Sequence, residues 1–137
     1  LQAVQLLSDD DFVPCLVLAH VALERERYEG AIRNIAKAVE RHPELFSEQV
    51  SPAKYYGDYD EQANSSRYLD ARMQIALQGI SGAGSVDMAV LEAYVAWVRG
   101  DTRQATRALD RAESAVQNGT PVEPEVRAIM SALRYGL

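Results

Sequence analysis

Between Asp11 and Pro43 apolar residues recur at helical spacing twice, once on each side of a single charged turn, and this predicts a helical hairpin. In the first half Cys15, Leu18, Ala19 and Ala22 recur at steps of three, one and three; in the second Ala31, Ile35 and Ala38 recur at four and three. Glu24 to Tyr28 is the polar elbow between them. Small side chains at Ala19, Ala31 and Ala38 let two helix backbones approach closely, while Tyr28 and Ile35 fill wider gaps. Pro43 stands just past the point where the second helix must stop.

The same pattern returns later in the chain. A shift of 74 residues lays Ala19 on Ala93, Val21 on Val95, Ala22 on Ala96, Arg25 on Arg99, Ala31 on Ala105, Arg33 on Arg107 and Ala38 on Ala112, all without a gap. Seven identities in one register mark an internal repeat. The second hairpin therefore spans 85–118, with helices over Val86 to Val98 and Asp101 to Gln117 and Gly100-Asp101 at its elbow. The same shift puts Glu26 on Gly100, so the turn glycine present in the second elbow is missing from the first.

The rest of the chain fits around these hairpins. The first spans 9–43, with Asp10 or Asp11 placed to cap its first helix, which runs to about Glu26, and Pro14 tolerated in the opening turn. Leu1 to Leu7 reads as the last turns of a helix begun upstream, which together with the opening Leu1 suggests a piece of a longer protein. Residues 44–79 hold a connection with Pro52, Gly57 and the pair Tyr55-Tyr56, then a middle helix from Asp58 or Asp60 to Gln78, ended by Gly79. Its stripe is Leu69, Met73, Ala76 and Leu77. A loop of Gly and Ser follows, and a closing helix at 123–135 turns Val126, Ile129, Met130 and Leu133 inward. Nothing alternates with period two. The expected fold is all-α, one domain over 1–137, with about five main helices plus terminal helical pieces.

The hairpin spacing resembles a tetratricopeptide repeat. Helix-A positions of that pattern fall on Cys15, Leu18, Ala19 and Ala22, and helix-B positions on Tyr28, Ala31, Ile35, Ala38 and Pro43. Cys15 and Ala22 replace the large aromatics usual there, and Glu26 replaces the turn glycine. The resemblance implies an α-α superhelix of antiparallel hairpins whose exposed inner face comes mostly from helix A. Carried over residue by residue, that face comprises Val13, Leu16, His20 and Leu23 in the first hairpin and Asp87, Val90, Tyr94 and Trp97 in the second. Repeats that capture a chain-terminal carboxylate use Lys, Arg and Asn at these positions, which are absent here. The candidate protein-binding residues are accordingly Leu16, His20, Leu23, Val90, Tyr94 and Trp97. The competing reading is core: Trp97 and Leu16 pack against the middle helix, since large apolar side chains are more often buried than displayed.

Charge and chemistry narrow the function classes. A net charge of −6 and a pI near 4.9 argue against the phosphate backbone of nucleic acids, which calls for clustered Lys and Arg. No run approaches the ~20 apolar residues of a membrane-spanning helix. Cys15 is the single cysteine and lies on an apolar helical face, which predicts a buried thiol. His20 and His42 share no metal-ligand spacing with Cys or carboxylates, and His20 with Glu24 reads as a surface pair at helical spacing. Gly57 to Asp60 lacks the glycine and the final acidic residue of a calcium loop. Gly82-Ala83-Gly84 follows a helix, not a strand, and has no lysine after it, so it is no phosphate cradle. No catalytic constellation, metal site or cofactor is expected. What remains is a non-enzymatic interaction or scaffold module with a protein or peptide partner. The alternatives are a structural spacer or self-association unit of a larger protein, and a regulatory appendage of an enzyme outside this chain.

Overall fold

The computed structural model describes residues 12–47, 73–79 and 85–137, and among these the regular elements are all helical. The expectations for Leu1 to Leu7, the Asp10 or Asp11 cap, Tyr55 and Tyr56, the first turns of the middle helix with Leu69, and Gly82 to Gly84 lie outside these residues. Helix α1 is Val13–Glu24 and α2 is Tyr28–Arg41, followed by a 3-10 turn at Leu45–Ser47. Helix α3 covers residues 73–79. Helices α4, Val86–Val98, and α5, Thr102–Gln117, form the second hairpin, and α6 is Pro124–Gly136.

Each helix starts and stops for a local reason. The first turn of α1 contains Pro14, where no intrahelical donor is needed, and Phe12 occupies the cap position without a side-chain bond. Ser85 and Asp101 cap α4 and α5 by accepting from the Met88 and Gln104 amides at 3.1 and 3.0 Å. The two elbows close in the same way. Arg27 N–H donates to the Ala22 carbonyl at 2.8 Å, and Asp101 N–H donates to the Ala96 carbonyl at 2.9 Å. This closure needs a left-handed residue just past the helix. Gly100 takes it at φ 79°, and Glu26 takes the equivalent position at φ 58°. The end of α5 repeats the device with Gly119 at φ 98°.

Sidedness decides which helices are inner and which outer. In α2 the buried residues Ala31, Ile32, Ile35, Ala36, Ala38 and Val39 make one stripe, while Arg33, Lys37, Glu40 and Arg41 face solvent. Helices α5 and α6 are equally one-sided. The stripe of α5 is Ala105, Ala108, Leu109 and Ala112, and that of α6 includes the expected Val126, Ile129, Met130 and Leu133. Helix α4, by contrast, is buried nearly all round, from Val86 to Val98. Buried residues of every described element join one contiguous core. Ala19, Ala31, Ala38, Ala93, Ala105 and Ala112 are all fully buried.

Three placements differ from the sequence reading. Leu18, assigned to the apolar face of α1, is 56% exposed, because Leu16, Ala19 and Leu23 take the inward direction instead. Gly79, expected just past the end of the middle helix, is itself helical. The connection after α2 is held by Leu45 and Phe46, both buried, within the 3-10 turn. Cys15 is buried as expected, with the Arg41 guanidinium donating to its sulfur at 3.3 Å. Helix α6 packs chiefly on α2 and the 3-10 turn, and less on α4 and α5. The closing helix therefore folds back onto the first hairpin.

Candidate functional site

The six residues singled out for binding meet in the interior. Leu16, His20, Leu23, Val90 and Tyr94 are at most 2% exposed, and Trp97 is half-buried. An open inner face at these positions is thereby corrected, and Phe46 from the 3-10 turn packs on its Tyr94–Trp97 end. Phe46 sets its ring edge-on against Trp97 at 4.8 Å and against Tyr94 at 6.1 Å between centroids. Behind Phe46 lies Gly136 at the end of α6, where a Cβ would fall on the Phe46 carbonyl and 2.7 Å from its Cβ. Trp97 is half-buried, with its ring packed against Phe46 of the 3-10 turn and Tyr94 of α4.

His20 was expected on the surface beside Glu24. Instead it is 1% exposed, and its Nε2 lies 2.7 Å from the Tyr94 hydroxyl in a buried hydrogen bond. Burial raises the Tyr94 phenol above its ordinary range, which keeps the hydroxyl protonated within the core. A second buried polar group sits on α4. Glu92 is 3% exposed and accepts from Arg111 on α5 at 2.6 Å. The first bond joins α1 to α4 and the second joins α4 to α5.

The described residues form two concave surfaces of note. One is an open groove of about 600 Å³ between α5 and α6, lined by Glu113, Val116 and Gln117 on one side and Arg127, Met130, Ser131, Arg134 and Tyr135 on the other. Arg134 reaches across to Glu113 and Asp110, and these hydrogen bonds raise its guanidinium further above its already high range. Tyr135 is 74% exposed at the lip. The other is a cleft of about 230 Å³ at the α1–α2 elbow, lined by Leu23, Glu24, Glu26, Tyr28, Ile75, Ala76 and Gly79. Desolvation and then the Glu26 carboxylate raise the Tyr28 phenol.

Neither concavity was read from the sequence. Apart from Met130, groove residues on α6 fall off its inward stripe and look like ordinary solvent-facing positions, and the cleft joins an elbow to a helix about fifty residues later. The faint signal was Glu26 itself, standing where its counterpart is glycine. Among the described residues no group of three or more His, Cys, Asp or Glu is placed to hold a metal ion, and no helix is long and apolar enough to cross a membrane. No family model, curated protein or solved structure matches the chain.

Proposed function

We propose that this chain is a non-enzymatic helical interaction module, and that the groove between α5 and α6 receives an amphipathic helix from a partner protein. The observation that carries this reading is the spacing of the groove walls. Arg127, Met130, Ser131, Arg134 and Tyr135 recur at three, one, three and one along α6, opposite Glu113, Val116 and Gln117 on α5, so the groove runs parallel to two ridges for about two turns. Such a trough suits a helix bearing apolar anchors at i, i+3 or i+4, and i+7. Val116 and Met130 offer the apolar floor, and the exposed Tyr135 ring offers an aromatic lip of the kind that dominates binding energy. With Arg134 engaged by Glu113 and Asp110, Arg127 is the cation left to meet an acidic residue on the partner helix.

A relation to tetratricopeptide repeats belongs to the same proposal. Its support is the pair of hairpins with alanines fully buried at matching positions. The working surface, however, is moved from the inner face to the outside of the second hairpin and α6.

Site-directed photo-crosslinking tests the reading. A photoreactive side chain at position 135 should capture a discrete partner, and the same group at Arg103, at the far end of α5, should not. The captured peptide should map to an amphipathic helix with an acidic residue near Arg127. Equal capture from both positions sinks the groove. Capture of a second copy, with mass rising across a concentration series, would assign the surface to self-association.

A further inference from the structure

The cleft at the first elbow is independent of the groove, and its chemistry is different. We infer that it binds the side chain of a single lysine or arginine presented by a partner protein, with the aliphatic stem against Ile75, Ala76 and Leu23 and the cationic head between the Glu26 carboxylate and the Tyr28 hydroxyl.

Comparison of the two elbows carries the inference. They have the same backbone closure, so whatever folding requires of one it requires of the other. At the second elbow the positions of Glu24, Glu26 and Tyr28 are filled by Val98, Gly100 and Thr102. Glycine is the residue this turn prefers, since a side chain at positive φ is strained, and Gly100 shows that the fold accepts it. Glu26 holds its carboxylate at the mouth of the cleft in spite of that strain, at φ 58°. Strain of this kind is characteristic of positions held for binding. Opposite it Ile75, a large aliphatic side chain, is 70% exposed.

Size and composition select the occupant. At about 230 Å³ the cleft has the volume of roughly seven or eight waters at ~30 Å³ each, enough for one long side chain and too little for a helix. Apolar walls with a carboxylate rim match the two halves of lysine or arginine, whose stems bury while their heads stay polar. The Glu26 carboxylate and a phenol supply too few oxygens for calcium, which takes about six to eight. One aromatic ring is also too few for the cage that recognises a quaternary ammonium. A chain of net charge −6 is a poor source for its own cationic partner, which favours a different, basic protein.

The test is a nuclear magnetic resonance titration of the labelled protein with short capped alanine peptides bearing one central lysine or arginine, and a norleucine peptide as control. Saturable shifts should appear at Glu24, Glu26, Tyr28, Ala76 and Gly79 with a Kd on the order of 1 mM, and the norleucine peptide should leave them unmoved. Two variants separate recognition from folding. Glu26→Gly removes the carboxylate and relieves the turn, and Glu26→Gln removes only the charge; each should weaken binding about tenfold while the protein stays folded. Unchanged affinity in both variants overturns the inference. So does the absence of shifts, or equal shifts with norleucine, or a linear drift spread over the acidic surface. Shifts confined to Glu113, Arg127 and Tyr135 would also overturn it while leaving the α5–α6 groove standing.

Discussion

His20 and Tyr94 stand at the same position of their respective hairpins, 74 residues apart, and they hydrogen-bond to each other at 2.7 Å in the core. The separation equals the shift that aligns the two hairpin sequences. Phe46 and Gly136, by contrast, approach from one side only and have no second copy. Phe46 and α6 therefore break the internal symmetry and seal the face that the hairpins would otherwise leave open.

Tyr94→Phe should lower stability by about 1 to 2 kcal/mol, because a buried hydrogen bond is lost and the His20 ring remains in place. Adding His20→Leu should recover much of that loss, since replacing both partners by apolar groups removes the unmet polarity. Urea unfolding of the two single variants and the double variant gives the coupling directly. Simple additivity of the two losses would show that the bond contributes nothing.

Gly136→Ala should cost about 1 to 3 kcal/mol and move the Trp97 emission, because the added methyl group must displace the Phe46 main chain and with it the ring packed on the indole. Gly30→Ala is the contrasting change. There a Cβ would lie 3.8 Å from Ala22 Cβ in ordinary contact, so the usual helical preference for alanine should raise stability by about 0.5 to 1 kcal/mol. Thermal unfolding with tryptophan emission reads both. Equal effects at the two sites would contradict the close approach of α6 to the 3-10 turn.

Glu26→Gly should raise stability by about 1 kcal/mol by placing at the first elbow the residue its φ prefers. Gly100→Ala should lower it by a similar amount. Nothing lies within 4 Å of a Cβ at Gly100, so the loss there is one of backbone conformation alone. Denaturant midpoints with an unchanged slope are the measurement. A neutral result at both positions would deny that the two elbows share one geometry.

The sequence alone determined the helices and their pairing. Val86 to Val98 begins and ends where its periodicity and Gly100 place it, and the stripes of α2, α5 and α6 are inward as spaced. Those features are local, set by residues three or four apart and by the chemistry of a helix end. Which face of an all-round apolar helix turns inward is not local. Leu18 and Glu92 occupy equivalent positions, yet the leucine is 56% exposed and the glutamate 3%. No propensity yields that inversion; it arises because position 92 faces Arg111 and Gln104 on α5, which supply the hydrogen bonds a buried carboxylate requires. The candidate binding face followed the same rule. Leu16, His20, Leu23, Val90, Tyr94 and Trp97 share one surface as their spacing says, but whether that surface is open depends on Phe46 and α6, whose approach only the tertiary structure decides.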